Sequence, residues 1–525
     1  MSVLSKEQEH AHTILIKDCN LLISGISGTG KSHLLLSYLS GKGRSRATAV
    51  TAVTLASAAN LLGSTINGYF GLGNISESTT FNYLIDQVRT RQYGIQNIVE
   101  AKELIIDQVE RLHVHVFDLL DELFRTIKEN NKPFGGVRVI LVGDFCQMPP
   151  VSSFLDWKLN KLSSADTLTK ISNSFCFNSK VWGELKFESL LLQQYQRPGN
   201  MGPLIKDASE GPISADNKRH LESRITDLSG FFNKFFTKEN ATSDNGKMII
   251  CAHTDRVNKL NALVERRYEP KHKRVETYKA KTVPAVPLGS YWDTEDQFNL
   301  LDEVILGKYT RVRLLKTATL TTSKITNWQG ENHSTEMIVV RSGSLGTVVS
   351  FANLDAVTKK KHIGLLDKFP PREVANEPNG DESEVSKKSS KEPYAVEVLL
   401  DSGHYIFVGI VRQNVQVDDV EYERSQIALE EAHASTAHTV QGSRCKQIIV
   451  AFSSENKLFR GQFVTAISRV ESVENMFIDS DLALDRIEFG PYDVVKEFYS
   501  KMFPTVRFAW NPHEPGLKRS FDQVE

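Results

Sequence analysis

The segment from Gly25 to Ser32 constrains the fold of this chain more than any other part of its sequence. It reads Gly-Ile-Ser-Gly-Thr-Gly-Lys-Ser and matches the pattern G-x-x-x-x-G-K-[ST], between an apolar run from Leu21 and a helical pattern from Lys31. Backbone amides of such a loop cradle phosphates, and the start of the next helix adds a partial positive charge. The predicted nucleotide-binding residues of the loop are Gly25, Ile26, Ser27, Gly28, Thr29, Gly30, Lys31 and Ser32. Lys31 is expected to reach the β- and γ-phosphates of ATP and Ser32 to hold Mg²⁺.

Two later apolar runs also end in an aspartate. They are Glu103–Asp107 and Val137–Asp144. Both are typical of buried parallel strands, which place polar side chains at the carboxyl edge of an open sheet, where ligands bind. Asp107 is therefore predicted to be the second protein ligand of Mg²⁺. The fold class that follows is α/β, with parallel sheets around a phosphate loop.

Composition limits the class of protein but does not indicate its substrate. The 525 residues suggest three or four folding units, and none of the apolar runs reaches the roughly eighteen residues of a membrane span. The N-terminus lacks the apolar core of a signal peptide, and the five cysteines include no CxxC pair. We expect an intracellular protein of the nucleus or cytoplasm, in a host cell if it is viral, that is not secreted and has no membrane partner. The net charge of −1 gives no indication of nucleic-acid binding.

The block Pro133–Val151, with the sequence PFGGVRVILVGDFCQMPPV, is the most specific segment of the chain. It resembles the block around motif III of the PIF-type DNA helicases of superfamily one, B type, and more loosely the RecD and Dda helicases. The resemblance extends from Leu4 to about Ile478. It implies two RecA-like P-loop domains and a small inserted β-barrel, and the β-rich texture from 300 to 365 fits that insertion.

Domain boundaries follow from these patterns. We predict a first RecA-like domain over 1–195 with a small insertion at about 68–102, a second RecA-like domain over 196–299 and 395–510, an inserted β-barrel over 300–365, a flexible loop over 366–394, and a tail over 511–525.

The resemblance also implies roles for residues outside the phosphate loop. Gln147 would sense the γ-phosphate or its attacking water, and Gln8, in Leu4-Ser-Lys-Glu-Gln8, would contact adenine. Arg469, in a block similar to motif VI, would complete the site from the second domain, where guanidinium suits a phosphoryl transition state better than lysine does. Gln441 and Gly442, in a block that resembles motif V, would lie near the nucleotide. The residues expected to contact DNA are Thr51, Thr54, Thr65, Thr436 and His438.

Gln108 is the most consequential departure from the family pattern. The family places glutamate, its general base, after the Walker B aspartate, and an amide cannot accept a proton as a carboxylate does. Three interpretations remain open. Gln108 orients the water, Glu110 supplies the carboxylate, or hydrolysis is slow and the chain mainly binds ATP. The other motifs favour retained hydrolysis, and a reduced rate is compatible with them.

Two smaller departures concern motifs IV and Ia. Tyr195-Gln196-Arg197 replaces the usual aromatic-Arg-Gln order, so Arg197 is expected to face phosphate with its register shifted by one. Leu55 stands where glycine is usual, which puts the detailed DNA contacts in doubt.

The sequence thus predicts an ATP- and Mg²⁺-dependent DNA helicase, moving 5′ to 3′ by resemblance, with single-stranded and duplex DNA as partners. The alternative is a catalytically weakened ATP-binding clamp or accessory subunit, and an unrelated P-loop enzyme would need neither motif V nor motif VI. The compact motif set suits a viral replication helicase, for which replication proteins would be further partners.

Overall fold

A computed structural model describes residues 4–504, except 43–46, 74, 151–163, 236–245, 269–274, 284–300, 317, 326–332, 341, 353–394, 402, 418–419 and 454–457. The predicted loop over 366–394 and the predicted tail over 511–525 lie outside the described residues. Among the described helices, none is both long and apolar enough to cross a membrane.

The first domain is built on a sheet of six parallel strands. Its strands, in their order across the sheet, are β3 (Ser64–Thr65), β2 (Thr48–Ala52), β4 (Glu103–Asp107), β5 (Arg138–Gly143), β1 (Leu21–Gly25) and β6 (Glu188–Leu192). The three apolar runs predicted to be strands are central, and β4 and β1 are buried along their whole length. Their continuous apolar character follows from helices on both faces of the sheet.

Helices cover both faces of this sheet. They are α1 (Lys6–Leu15), α2 (Lys31–Lys42), α3 (Leu55–Asn60), α4 (Ile66–Phe70), α5 (Phe81–Thr90), α6 (Gln92–Glu100), α7 (Val114–Lys128), α8 (Ser164–Ser174) and α9 (Trp182–Leu185). The predicted insertion at about 68–102 contains α5 and α6. Their buried residues Leu84, Val88 and Ile98 join the same core cluster as α7.

The second domain has a five-stranded parallel sheet. Its strand order is β20 (Ala434–Thr436), β8 (Lys247–Cys251), β21 (Gln447–Val450), β22 (Met476–Asp479) and β7 (Ile225–Thr226). Its helices are α10 (Met201–Glu210), α11 (Ala215–Glu222), α12 (Leu228–Phe235), α13 (Thr254–Tyr268) and α14 (Gln462–Ile467). The strands β8 and β21, far apart in the sequence, pair in parallel at the centre of this sheet.

An antiparallel β region is inserted between β8 and β20. A sheet of seven strands has the order β10 (Lys281–Val283), β18 (Val420–Ile427), β17 (Tyr405–Val417), β16 (Ala395–Leu400), β15 (Leu345–Ala352), β12 (Arg311–Leu314) and β19 (Leu429–Glu431). Two ribbons accompany it, β9 (Val275–Lys279) with β11 (Glu303–Gly307) and β13 (Ala318–Ile325) with β14 (His333–Val340).

The predicted boundaries of this insertion, 300 and 365, are wrong at both ends. Strands from 275 to 283 and from 395 to 431, assigned by prediction to the second RecA-like domain, belong to the inserted region. Thr282 pairs with Arg424 and Val312 pairs with Glu431. Pairings over such sequence separations leave no local pattern, so composition alone missed them.

The last described helix, α15 (Asp493–Met502), is also placed differently from the prediction. It lies within the range predicted for the second domain, but its buried residues Val495, Phe498 and Tyr499 belong to the core cluster of the first domain. The chain therefore returns to its first domain after completing the second.

A candidate nucleotide site between the two domains

A cavity of about 370 Å³ lies at the carboxyl edge of the first sheet, against the second domain. The residues that line it are Gln8, Ser27, Gly28, Gly30, Lys31, Ser32, His33, Ser57, Asn60, Asp107, Gln108, Glu110, Gly143, Asp144, Gln147, Gln196, Arg197, Pro198, Gly442, Arg444 and Arg469. Most predicted nucleotide-site residues are thus brought together. Gly25, Ile26, Thr29 and Gln441 are not part of this lining.

The phosphate loop forms one wall of the cavity. The Lys31 ammonium donates hydrogen bonds to the carbonyls of Gly25 and Ile26, which folds its side chain back over the loop. Gln8 is buried and its Nε2 donates to the carbonyls of Thr29 (3.3 Å) and Gly30 (3.4 Å). Gln8 therefore supports the loop in this structure, and its contact with adenine stays a prediction.

The end of β4 contributes two side chains that bind neighbours on α3 and its N-cap. The Asp107 carboxylate accepts a hydrogen bond from the Ser57 hydroxyl, and the Gln108 amide oxygen accepts one from Thr54. Gln108 also has a left-handed backbone, with φ of 59°. Such a conformation is uncommon outside glycine and is concentrated at functional sites.

Asp144 and Gln147 follow β5, the strand that pairs with β4. Gln147 Nε2 donates to Asp144 Oδ2 at 2.9 Å, and its backbone amide donates to the Asp144 carbonyl at 3.0 Å. The Gln147 Oε1 is buried and has no hydrogen-bond partner in the structure. An orphaned buried acceptor is costly, so this atom is suited to a ligand or a water in the cavity.

The second domain contributes Arg469 and approaches closely because of a glycine. Arg469 is buried, and its Nη2 lies 3.5 Å from the Ser27 hydroxyl of the phosphate loop. Burial lowers the pKa of Arg469 to about 9. Gly461 has φ of 81°, and a Cβ there would lie 2.3 Å from the Gln147 carbonyl oxygen. Only glycine allows this approach of the two domains.

Arg197 lies on the connection between the domains and lines the cavity as expected. Its Nη1 donates to the Ser468 carbonyl at 2.6 Å, one residue before Arg469. Burial lowers the pKa of Arg197, with Arg444 adding to that shift. Arg444 also lines the cavity, although the sequence pattern did not single it out.

Glu110 joins the two domains at the floor of the cavity. Its Oε1 accepts a hydrogen bond from Gln441 Nε2 at 2.6 Å, and its Oε2 accepts one from the Asp144 amide at 3.0 Å. Burial raises the pKa of Glu110 to about 8. Gln441 thus reaches the site through Glu110 rather than by lining the cavity.

Further cross-domain contacts surround this bond. Arg111 Nη1 donates to the His438 carbonyl at 2.9 Å, and Asn60 Nδ2 donates to the Gly442 carbonyl at 2.7 Å. The sequence motifs did not indicate Asn60 or Ser57, because a position on a short helix does not reveal which loop faces it. Ser57 lies within Leu55-Ala-Ser-Ala-Ala and Asn60 directly follows it, and this placement was the available signal.

The residues predicted to contact DNA divide into two groups. Thr51 is fully buried and its hydroxyl donates to the Ile105 carbonyl at 2.7 Å. Its predicted DNA contact is therefore wrong, because the side chain faces the interior of the sheet. Thr54 and Thr65 cap the N-termini of α3 and α4, and both are partly accessible.

Thr436 ends β20, and His438 lies in the loop that follows it. The Thr436 and Thr439 hydroxyls lie 2.8 Å apart. Burial holds the pKa of His438 well below its ordinary value, with Arg111 and His253 adding to the shift, so its ring is neutral at pH 7. His438 therefore brings no positive charge to a phosphate, and its DNA contact stays a prediction.

The fold and the cavity together define a P-loop nucleotide-binding protein with two RecA-like domains and an inserted β region. Residues 3–201 match the family model described as PIF1-like helicase. The matched part of the chain contains the phosphate loop and the Asp144–Gln147 segment.

Relatives extend the similarity over more of the chain. The ATP-dependent DNA helicase RRM3 of Saccharomyces cerevisiae is 24% identical over 95% of this chain and 68% of its own length. The ATP-dependent DNA helicase PIF1 of Candida albicans is 30% identical over 41% of this chain, but the match covers only 24% of that protein. The uncharacterized protein 030L of Invertebrate iridescent virus 6 is 24% identical over 94% of both chains.

Solved structures share the fold. The crystal structure of Pif1 helicase from Candida albicans covers 96% of this chain and 100% of its own, with a TM-score of 0.70 and 21% identity. Pif1 helicase from Bacteroides, in complex with ADP-AlF3 and single-stranded DNA, covers 95% of this chain and 98% of its own, with a TM-score of 0.64 and 19% identity.

Proposed function

We propose that this protein is an ATP-dependent DNA helicase that translocates on single-stranded DNA and unwinds duplexes. The observation that carries the proposal concerns the turn from Gln108 to Arg111, which follows the Walker B aspartate Asp107. This turn is hydrogen-bonded to both segments that were predicted to contact DNA. Gln108 accepts a hydrogen bond from Thr54 in the first domain, and Arg111 donates one to His438 in the second. The turn that follows Asp107 at the nucleotide cavity is therefore bonded directly to both segments.

The relatives support this proposal. RRM3 and the Candida PIF1 are named ATP-dependent DNA helicases, and the Bacteroides Pif1 has been crystallised with single-stranded DNA and a nucleotide analogue. A translocating motor of this class needs two domains that close on ATP and open after hydrolysis. The cavity between the phosphate loop and Arg469 has the composition that such closure requires.

We further propose that Mg²⁺ accompanies ATP. Ser32 and Asp107 line the same cavity, and a hydroxyl and a carboxylate are oxygen ligands that suit Mg²⁺, with phosphate oxygens and waters completing the octahedron. Among the described residues no group of three or more His, Cys, Asp or Glu side chains forms a metal site of its own. This agrees with a cation shared with the nucleotide.

Unwinding of tailed duplexes tests the proposed function. Duplexes with a 5′ or a 3′ single-stranded tail are incubated with the protein, ATP and Mg²⁺. We expect strand separation only with the 5′ tail, in agreement with the family's direction. Unwinding only with a 3′ tail would overturn the direction, and no unwinding with either tail would overturn the helicase assignment.

The second candidate is an ATP-binding clamp that holds DNA without translocating. Gln108 favours it, because an amide occupies the position of the family's general base. A clamp would bind single-stranded DNA more tightly with ATP but would turn over no more ATP than a Lys31→Ala variant.

A further inference from the structure

We propose that Glu110 is the general base for ATP hydrolysis in this protein, in place of the family's glutamate at position 108. The inference rests on the proposed function, since it assigns a residue to the hydrolysis that drives the motor. Its observations are the position, burial and hydrogen bonds of the Glu110 carboxylate at the domain boundary.

Gln108 cannot take the proton itself. An uncharged amide has no basic site at neutral pH, and its Oε1 already accepts a hydrogen bond from Thr54. Its Nε2 faces Gly442, where an added Cβ would lie 2.8 Å from it. Gln108 can orient a water or relay a signal, but proton acceptance requires another group.

The Glu110 carboxylate is located where it can accept a proton from a water in the cavity. It lines the cavity, is only 1% exposed, and accepts one hydrogen bond on each oxygen. Each carboxylate oxygen has a second lone pair, so a water can still donate to either of them. A Cβ at Gly143 would lie 2.3 Å from the Glu110 Oε2, so the glycine that ends β5 provides the space for this carboxylate.

Two other carboxylates, Asp107 and Asp144, line the cavity but have different interactions. Asp107 and Asp144 both interact electrostatically with Lys31, which places them on the side of the bound phosphates. Asp144 Oδ1 accepts from the Cys146 amide and Oδ2 from Gln147. Glu110 instead bonds to Gln441 of the second domain, across the cleft from the phosphate loop.

Titratable and charged groups on several neighbouring elements act on the Glu110 carboxylate. The titratable and charged groups whose fields reach it are Asp107 after β4, Asp144 after β5, Cys176 before α9 and Arg469 after α14. The two aspartates disfavour the ionised form and Arg469 favours it. Burial outweighs Arg469, since the pKa of Glu110 is raised to about 8 with Arg469 in place, and the ionised, proton-accepting fraction of Glu110 therefore grows as the pH approaches 8.

The proposed step is balanced within the site. A water oxygen forms a bond to the γ-phosphorus while the bond from that phosphorus to the β,γ-bridging oxygen breaks. One proton of the water moves to a Glu110 carboxylate oxygen, and the bridging electron pair leaves with ADP. Glu110 returns the proton to solvent or phosphate when the domains open.

Steady-state ATP turnover with oligo(dT) and Mg²⁺ tests the assignment in four variants of the full chain. These are Glu110→Gln, Gln108→Glu, the double variant Gln108→Glu/Glu110→Gln, and Glu122→Gln as an exposed control on α7. We expect Glu110→Gln to lower kcat about 100-fold or more, the usual scale of general-base catalysis, while the affinity for a fluorescent ATP analogue changes less than about threefold. The double variant should regain at least about a tenth of the wild-type kcat, because it restores a carboxylate at position 108.

The outcomes distinguish Glu110 as a general base from Glu110 as a residue whose hydrogen bonds only support the structure. If Glu110→Gln turns over ATP at close to the wild-type rate, the inference is wrong. The same holds if the double variant stays as inactive as Glu110→Gln while Gln108→Glu alone is active, because a merely structural link would not be replaced from position 108. If wild-type turnover does not exceed that of Lys31→Ala, the proposed function and the inference both fail.

A second variant, Glu110→Ala, keeps the assignment testable if Glu110→Gln does not fold. Glu110→Ala removes the carboxylate and leaves space for a small acid, so added formate should raise its turnover at least about tenfold and leave Lys31→Ala unaffected. Formate without effect on folded Glu110→Ala would contradict the assignment.

Discussion

Arg469 shows at the scale of one residue why the cavity needs two domains. Its guanidinium is buried, its Nε donates to the Thr465 carbonyl at 2.8 Å, and its Nη2 faces Ser27 of the phosphate loop. The planar guanidinium of Arg469 is thus held by a hydrogen bond within the second domain and faces the phosphate loop of the first. A flexible ammonium could not keep both contacts.

Arg469→Lys is therefore expected to lower kcat for DNA-stimulated ATP turnover about 100-fold, the scale of one lost transition-state donor. ATP-analogue affinity should change much less, because the contact is strongest in the transition state. Arg219→Lys is the matched control, since Arg219 is exposed and pairs with Asp216 three residues earlier. Equal kcat in the two variants would show that Arg469 has no role in hydrolysis.

The pKa of Glu110 gives a prediction about stability. Burial raises it from 4.5 to about 8. Between these pH values the unfolded chain releases a proton that the folded chain retains, so the folded state is progressively destabilised as pH rises and the penalty is complete above about pH 8. Glu110→Gln removes this penalty.

We expect the Tm of Glu110→Gln, relative to wild type, to increase steadily from about pH 5 to about pH 8.5 in thermal unfolding. Glu122→Gln, at an exposed position of α7, is measured over the same range as the control. A Glu110→Gln difference that stays constant or decreases with pH would contradict the raised pKa.

At the scale of elements, α15 links the end of the described chain to the strands that carry the site. The Tyr499 hydroxyl lies 2.6 Å from the Ser24 hydroxyl on β1 and accepts a hydrogen bond from the Phe145 amide at 3.3 Å. The phosphate loop follows β1, and Gln147 follows Phe145. The helix thus supports both segments from behind.

Tyr499→Phe is expected to lower the free energy of unfolding by about 1–3 kcal/mol, because it removes the buried partner of the Phe145 amide and one hydrogen bond of the Ser24 hydroxyl, which keeps its bond to the Gly143 carbonyl. Tyr93→Phe on α6, where the tyrosine is 51% exposed, should change it by less than about 0.5 kcal/mol. Urea unfolding measures both. Equal effects would mean that the hydroxyl of Tyr499 contributes nothing to stability.

The elements that the sequence predicted are those whose signal is local. The strands around Leu21, Glu103 and Val137 have continuous apolar centres, because both faces are covered, and each leads into a glycine or an aspartate at the sheet edge. The extent of the inserted β region depends on which distant strands pair with each other. The position of α15 depends on which distant segment its apolar face packs against. A pattern of apolar residues does not contain that information.

The candidate site shows the same division. The phosphate loop, Asp107, Gln147, Arg197 and Arg469 follow motif spacing, and the structure places all of them at one cavity. The burial of Thr51 and the cross-domain bond of Glu110 could not be predicted, because each depends on a partner far away in the sequence.

At the scale of the whole molecule, two of the hydrogen bonds that join the RecA-like domains start from one turn, from Gln108 to Arg111. Glu110 bonds to Gln441 and Arg111 to His438, while Gln108 bonds to Thr54 on the side of the predicted DNA path. The inserted β region also reaches this area, where an added Cβ at Gly343 would lie 3.0 Å from Leu55. Nucleotide and DNA would therefore act on the same small group of contacts.

Steady-state ATP turnover by the full chain, measured with and without oligo(dT) and beside Lys31→Ala, tests this account most directly. We predict that wild-type turnover rises at least about tenfold with single-stranded DNA, since DNA favours the closed arrangement in which Arg469 and Glu110 face the nucleotide. Lys31→Ala should stay at background in both conditions. Wild-type turnover that equals the Lys31→Ala background with DNA present would contradict a motor driven from this cavity.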